Sequence, residues 1–155
     1  MASERHNGGR VVVGIDDSAG AARALAWALD EAVAHDWEVH AVLAWELPST
    51  GALGLDPLPV DVEALADGAA ATLAKVVAPF TAEADRLGVV LKAEAVQGQP
   101  RHVLLELARD ADLLVVGSRG RGGFVGLLLG SVSAYCAKHA PGPVAVIPAP
   151  QEAAA

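Results

Sequence analysis

The amino-acid sequence predicts an α/β protein with an open, doubly wound sheet of five parallel strands and helices on both faces. Short apolar runs alternate with segments of helical period, which is typical of strands joined by crossover helices. The first and fourth runs are the most apolar, as strands covered on both faces are. We therefore predict that these two strands are central neighbours in the order 3-2-1-4-5. Ligands of such sheets bind beyond the carboxyl ends of the strands, where the chain changes direction.

The composition favours one cytoplasmic domain. A chain of 155 residues with 53% hydrophobic content can form one packed core, which we expect over residues 10–148 with tails at 1–9 and 149–155. No apolar stretch approaches the roughly 20 residues of a membrane-spanning helix, and no apolar run precedes Val11 as in a signal peptide. The single cysteine, Cys136, excludes an internal disulfide, and we expect it to be a buried small residue.

The charge distribution indicates where an anionic ligand would bind. A formal net charge of −8 argues against binding nucleic acid mainly through its phosphates. All 19 acidic residues lie outside the segment Leu113–Gln151, whose full charges are Arg119, Arg121 and Lys138. A polyanionic small molecule would be repelled least in this segment.

The first unit of the chain is a strand, an acidic turn and a helix. Residues Arg10–Ile15 form a β-branched run without polar alternation, as expected of a strand buried on both faces. Asp16, Asp17 and Ser18 follow it and supply two carboxylates and a helix cap. The helix is indicated by apolar residues at helical spacing, namely Ala22, Leu25, Ala26, Leu29 and Val33.

The second unit contains a long loop and a long helix. Val39–Trp45 is the second strand, and Glu46–Pro59 is a loop of a length typical of lids or flexible covers. Helical spacing then runs over Val62–Leu87, and Gly88 ends it. Pro79 lies inside this segment and is expected to kink the helix or to divide it in two.

The third strand is expected at a sheet edge. Val89–Val96 places Lys92 and Glu94 on one face, which predicts a half-exposed strand. A turn at Gly98–Pro100 leads into a helix over Arg101–Asp110.

The fourth and fifth strands flank the glycine-rich loop and the last helix. Asp112–Gly117 is the fourth strand, Val132–His139 is helical, and Val144–Ile147 is the fifth strand. The fifth strand is apolar on both faces although it should lie at an edge. Because exposed apolar edges invite pairing, we predict a symmetric homodimer through this strand.

A strand, a glycine loop and a helix in this order build an anion site. Glycines let the backbone approach a ligand closely, and a helix N-terminus presents N–H groups and a positive dipole end. The loop is not a Walker A sequence, because Gly-Lys-Ser/Thr is absent, and it does not match G-x-G-x-x-G either. Its spacing is Gly117-x2-Gly120-x9-Gly130-Ser131.

This spacing resembles that of the ATP-binding members of the universal stress protein family. The segments VVVGIDDS, SAGAARALAWALDEA, GQPRHVLLELA, DLLVVGSRGRGG and LLLGSVSAYCAKHAPGPVAVIP carry the resemblance, over about residues 9–149. The resemblance implies an adenine nucleotide alpha hydrolase-like fold and a bound adenine nucleotide, usually ATP, with Mg²⁺ or Mn²⁺ at its phosphates. It also points to a homodimer.

On the nucleoside side, the resemblance assigns a contact to Asp16 and a lining role to the backbone of Gly14 and Ile15. Ala44 would meet the adenine edge through its backbone. A structural alternative for Asp16 is a carboxylate that caps the first helix, a role that Asp17 or Ser18 could equally fill.

On the phosphate side, the resemblance assigns close approach to the loop glycines, and N–H and hydroxyl donors to the start of the last helix. The candidate residues are Val116, Gly117, Arg119, Gly120, Gly130, Ser131, Val132 and Ser133. The alternatives are a flexible surface loop for the glycines and solvated side chains for Arg119 and Arg121.

The leading functional hypothesis is a nucleotide-binding regulatory or sensor protein of the stress response. The alternatives are a slow ATPase or a nucleotidyl- or phosphoryl-transferring enzyme, and a cyclic AMP-binding or nucleotide-free interaction module. We expect no committed catalytic apparatus and at most slow ATP hydrolysis, because sequence spacing places no general base near a phosphate and no arginine as an obvious finger.

Overall fold

The computed structural model describes residues 8–49, 54, 59–119 and 129–149, and along these residues five strands alternate with four helices. The strands are β1 (Arg10–Gly14), β2 (Glu38–Trp45), β3 (Leu91–Gln97), β4 (Leu113–Gly117) and β5 (Val144–Ile147). The helices are α1 (Ala19–His35), α2 (Val62–Leu87), α3 (Pro100–Ala108) and α4 (Ser131–His139).

The five strands form one parallel sheet in the order β3-β2-β1-β4-β5. The predicted doubly wound sheet and its strand order are thereby confirmed. At the centre, Val13 of β1 lies between Ala41 of β2 and Val115 of β4. Because all strands are parallel, the segments that follow β1, β2 and β4 leave the sheet at one shared carboxyl edge.

The sheet separates two hydrophobic layers. Val11 and Val13 belong to the layer formed with α1 and α2, whereas Val12 belongs to the layer formed with α3 and α4. All three side chains are fully buried, which explains why β1 has no polar alternation. Cys136 of α4 is also buried, as expected, and burial raises the pKa of its thiol.

Helix α2 is continuous from Val62 to Leu87, so the predicted alternative that Pro79 divides it is wrong. Asp61 caps its start by accepting the Ala64 N–H at 3.0 Å. Gly88 ends the helix with φ of 70°, a left-handed conformation that favours glycine.

The two edge strands differ in polarity. Lys92 and Glu94 of β3 are exposed, which confirms the prediction of a half-exposed edge. The strand begins at Leu91, two residues later than predicted, because the Val89 N–H donates to the Ala84 carbonyl at the end of α2. In β5, three residues are half-buried and Ile147 is buried.

Parts of the predicted tails and of the long loop lie outside the described residues, namely 1–7, 50–53, 55–58 and 150–155. The division into a domain and two tails therefore stays a prediction. In the part of the chain that the structure describes, no helix has the length and apolar character needed to cross a membrane.

Candidate functional site

The carboxyl edge of the sheet brings the two halves of the predicted site together. Gly14 ends β1 and Gly117 ends β4, and these strands are hydrogen-bonded neighbours. Asp16 lies two residues after the end of β1, so its carboxylate lies on the same edge as the residues that follow β4. The strand order thus joins residues that are far apart in sequence.

The Asp16 carboxylate is held by the turn that starts α1. Its Oδ1 accepts the Ser18 N–H at 2.9 Å and also the Ser18 hydroxyl. Ser18 is the residue that caps α1, because its Oγ accepts the Ala21 N–H at 3.3 Å. Of the capping alternatives, the structure therefore assigns the cap to Ser18, and Asp16 orients that cap from the carboxyl end of β1.

On the predicted nucleoside side, most of the groups that could contact a ligand belong to the backbone. The Ile15 N–H donates to the Val42 carbonyl at 2.8 Å and its side chain is buried in the core, so neither of these groups is available to a ligand. Val42 pairs with Gly14, and Ala44 lies two residues further along β2. Ala44 is half-buried at the carboxyl edge, beside the segment that follows β1.

Two glycines permit close packing at this edge. A Cβ on Gly117 would lie 3.4 Å from the backbone carbonyl of Gly20, in the first turn of α1. A Cβ on Gly20 would in turn lie 3.4 Å from the Arg119 carbonyl oxygen. The loop after β4 therefore starts directly against the N-terminus of α1. The sequence did not point to Gly20, because its close contacts with Gly117 and Arg119 arise only when α1 packs against the end of β4.

Ser118 is the second residue that the sequence reasoning missed. Its carbonyl accepts the Gly130 N–H at 2.6 Å and the Ser133 hydroxyl at 2.9 Å. Its own hydroxyl oxygen accepts the Ala149 N–H at 3.1 Å. The residue is 8% exposed, and its bonds satisfy polar groups that would otherwise be buried without partners. In the sequence, the signal that could have drawn attention to it is its position directly after the apolar strand β4.

The N-terminus of α4 carries the predicted phosphate donors. Gly130 is its N-cap and has no side-chain cap bond, and the first backbone bond runs from the Ala134 N–H to the Gly130 carbonyl at 3.0 Å. The N–H groups of residues 131–133 precede that bond and have no partner within the helix. Ser131 is exposed. The Ser133 hydroxyl lies 2.9 Å from the Ser118 carbonyl and 3.1 Å from the Gly130 carbonyl, so it donates within the protein here, and its contact with phosphate stays a prediction.

The electrostatic surroundings of α4 suit an anion at its start. No Asp or Glu occurs between Leu113 and Gln151, and Lys138 and His139 lie in the last turn of α4. The positive end of the helix dipole is therefore not opposed by a local carboxylate of this segment.

The remaining predicted residues lie at the end of β4 and after it. Val116 is buried and Arg119 is half-buried at the end of β4 and just after it. Gly120, Arg121 and the glycines at 122, 123 and 126 lie outside the described residues. Within the ranges that are described, no three His, Cys, Asp or Glu side chains are grouped to hold a metal ion.

Curated proteins that resemble this chain are universal stress proteins. One from Mycobacterium tuberculosis is 38% identical over 148 residues, which are 93% of this chain and 45% of that protein. Another from Mycolicibacterium smegmatis is 36% identical over 137 residues, which are 88% of this chain and 45% of that protein. The chain thus spans less than half the length of these curated relatives.

The same family appears among solved structures. A universal stress protein crystallised in complex with cAMP is 27% identical, with a TM-score of 0.67, and the match covers 92% of this chain and 99% of that chain. The sequence profile described as the universal stress protein family matches residues 8–148. The chain therefore belongs to the universal stress protein family.

Proposed function

We propose that this protein binds an adenine nucleotide across the carboxyl edge between β1 and β4 and acts as a regulatory or sensor module in a stress response. The observation that carries the proposal is the start of α4, which has no side-chain cap and is hydrogen-bonded to Ser118 at the end of β4. Strand β4 lies beside β1, the strand that precedes Asp16. A helix N-terminus of this kind suits phosphate groups. The similar protein crystallised with cAMP supports an adenine nucleotide as the ligand class.

In this proposal the nucleoside lies on the β1–β2 side. Asp16 contacts the nucleoside, the Gly14 and Ile15 backbone lines its pocket, and the Ala44 backbone meets the adenine edge. These groups lie at one sheet edge, and the turn at Ser18 holds the Asp16 carboxylate in a defined position. A preoriented acceptor of this kind loses little entropy when it binds a hydroxyl.

The phosphates lie on the β4–α4 side of the same edge. Gly117 and Gly120 allow close approach of the ribose and phosphates, Val116 and Arg119 belong to the same side of the site, and Gly130 leads into the donors of residues 131–133. ATP is the proposed nucleotide, with Mg²⁺ or Mn²⁺ held mainly through its phosphates. Charge-assisted bonds contribute about 1.5–3 kcal/mol each, and micromolar binding requires only about 8 kcal/mol in total.

Cyclic AMP is the second candidate ligand, because the 27% identical protein was crystallised with it. A cyclic phosphate would use the same N–H groups at the start of α4 but has no β- and γ-phosphates to extend along the loop. We propose further that the nucleotide is retained rather than consumed, that the protein is cytoplasmic, and that residues 10–148 form its domain.

Calorimetry with ATP, ADP, AMP and cyclic AMP tests the ligand, together with mass spectrometry of any nucleotide that copurifies. We expect ATP to bind with micromolar affinity, and Gly130→Val to weaken binding by at least about tenfold, because a branched side chain beside the α4 N–H groups obstructs a phosphate. Gly117→Val should also weaken nucleotide binding, because its side chain would crowd the Gly20 carbonyl, which lies 3.4 Å from the Cβ position.

Gly142→Val is the matched control, since a Cβ at Gly142 meets nothing within 4 Å. Thermal unfolding of each variant separates lost binding from lost folding. The site assignment fails if no nucleotide binds below about millimolar concentration, or if a folded Gly130→Val protein binds as tightly as the wild type.

A further inference from the structure

Ser118 connects three segments of the chain at the end of β4. Its N–H donates to the Ile147 carbonyl of β5 at 2.8 Å, and its hydroxyl oxygen accepts the Ala149 N–H beyond β5 at 3.1 Å. Its carbonyl accepts two donors from the start of α4, the Gly130 N–H at 2.6 Å and the Ser133 hydroxyl at 2.9 Å. One buried residue thus holds both the N-terminus of α4 and the segment after β5.

These bonds leave little freedom for independent movement of the two segments. Two donors occupy the Ser118 carbonyl, and Ser118 and Ser133 are only 8% and 2% exposed, so water cannot readily replace a broken bond. A shift of the first turn of α4 therefore displaces the Ser118 carbonyl and, with it, the backbone of this residue. That displacement acts on Ala149 through the Ser118 hydroxyl and on Ile147 through the Ser118 N–H.

We propose that Ser118 is a positioning residue that couples nucleotide binding at the start of α4 to the order of the segment after β5. The inference rests on the proposed function, and it adds a specific route by which an occupied site is sensed at the edge strand. A phosphate bound by the first turn of α4 stabilises that turn and, with it, the bonds to Ser118. By thermodynamic reciprocity, order at residues 148–149 favours phosphate binding.

The coupling is testable without nucleotide by amide hydrogen exchange in the full chain, followed residue by residue with NMR. Ser133→Ala removes a donor on the α4 side, and we expect exchange at the Ala149 amide, on the β5 side, to accelerate about two- to tenfold. Ser118→Ala should accelerate exchange at Gly130 in the same way. Neither amide is the direct partner of the deleted hydroxyl.

Thr72→Ala is the matched control, because it deletes a hydroxyl that donates to the Gly68 carbonyl at 3.0 Å within α2. It should leave exchange at Gly130 and Ala149 unchanged. Unaltered exchange at buried Leu73 in every variant shows that the fold is retained. If Ser133→Ala leaves Ala149 unchanged in the folded protein, the coupling through Ser118 is refuted.

The second part of the experiment adds saturating ATP and measures how exchange at Ala149 responds. If Ser118 had only a structural role, its substitution would not alter this response to ATP. Wild-type Ala149 should exchange more slowly with ATP, and Ser118→Ala should abolish this response and weaken ATP binding severalfold. Binding to the wild type without a response at Ala149 overturns the inference but leaves the proposed function intact. Absence of any nucleotide binding overturns the proposed function, and the ligand-free effect of Ser133→Ala on Ala149 still decides whether Ser118 couples the segments.

Discussion

At the scale of single residues, Glu38 of β2 forms ion pairs with residues of both neighbouring strands at the amino edge of the sheet. Its carboxylate contacts Arg10 Nε at 2.7 Å from β1 and Lys92 Nζ at 3.0 Å from β3. The Glu38 side chain is 11% exposed, whereas those of Arg10 and Lys92 are 39% and 57% exposed. Burial alone raises the pKa of the Glu38 carboxyl, but the hydrogen bonds from Arg10 and Lys92 outweigh it and lower the pKa.

A lowered pKa makes Glu38 a source of pH-dependent stability. The ionised form is favoured in the folded state, so its contribution is complete above the ordinary value of 4.5 and is lost as the pH falls through the lower folded value. Glu38→Gln should reduce the free energy of unfolding by about 1 kcal/mol at pH 7, because its partners are partly solvated. Urea unfolding at a series of pH values from neutral to acidic measures the difference, which should shrink in acid.

Glu106→Gln is the control for that series, since Glu106 and Arg109 form an exposed pair at 3.4 Å. Exposed pairs of this kind contribute little. A stability loss for Glu38→Gln that stays constant from neutral to acidic pH would contradict the assigned role of the carboxylate.

At the scale of elements, α2 is long enough to tolerate a proline. Pro79 removes one backbone hydrogen bond and its ring crowds the preceding turn, at a cost of about 3 kcal/mol. Leu73, Val77 and Ala84 lie on both sides of it and are all buried in one hydrophobic layer. Their packing stabilises both halves of the helix, so α2 continues where the local sequence predicted a possible break.

Pro79→Ala should therefore stabilise the protein. Pro79 is exposed, so the substitution restores a backbone donor without altering the core, and we expect the free energy of unfolding to rise by about 1–3 kcal/mol. Thermal and urea unfolding measure the change. Pro59→Ala, at an exposed position before α2, is the control for a general loss of proline, and a Pro79→Ala protein no more stable than this control would show that the proline causes no strain in the helix.

The elements could be predicted from sequence to the extent that their signals are local. The apolar run of β1, the Ser18 cap and the Gly88 end depend on neighbouring residues, and the strand order followed from which strands are buried on both faces. Contacts across the sheet could not be predicted in this way. Ser118 and Ala149 are 31 positions apart, and their hydrogen bond depends on the pairing of β4 with β5.

The residues of the candidate site show the same difference between local signals and long-range contacts. Asp16 and Gly117 could be placed from the strand ends, because the carboxyl edge of a parallel sheet is a general ligand position. The orientation of the Ser133 hydroxyl could not, since its acceptor is a carbonyl 15 positions away that only the fold brings near. A serine in the first turn of a helix gives no indication from sequence alone of whether its hydroxyl faces a ligand or the core.

At the scale of the whole molecule, the two sheet edges have opposite chemistry. β3 presents Lys92 and Glu94 to solvent, and charged side chains of this kind discourage pairing with another strand. β5 consists of Val144, Ala145, Val146 and Ile147 and contains no charge. We therefore propose that a homodimer forms through β5 rather than through β3.

The backbone of β5 indicates a substitution that tests this proposal selectively. The Leu114 N–H donates to the Pro143 carbonyl and the Ser118 N–H donates to the Ile147 carbonyl, so these odd-numbered residues face β4. By strand alternation, the Val146 N–H faces away from β4, toward a partner strand. Proline at this position removes an outward donor while the bonds to β4 remain.

Val146→Pro should convert a dimer into a folded monomer, as measured by analytical ultracentrifugation at micromolar concentration. Ala93→Pro is the matched substitution on the other edge. The Val39 N–H donates to the Val90 carbonyl and the Gly98 N–H donates to the Trp45 carbonyl, so the backbone groups of even-numbered residues face β2. The Ala93 N–H therefore faces outward. That variant should remain dimeric. A wild-type protein that sediments as a monomer, or a folded Val146→Pro protein that stays dimeric, would rule out pairing through β5. Since Ser118 binds both Ile147 and Ala149, a dimer formed there would place the partner strand one strand away from the residue that orders α4.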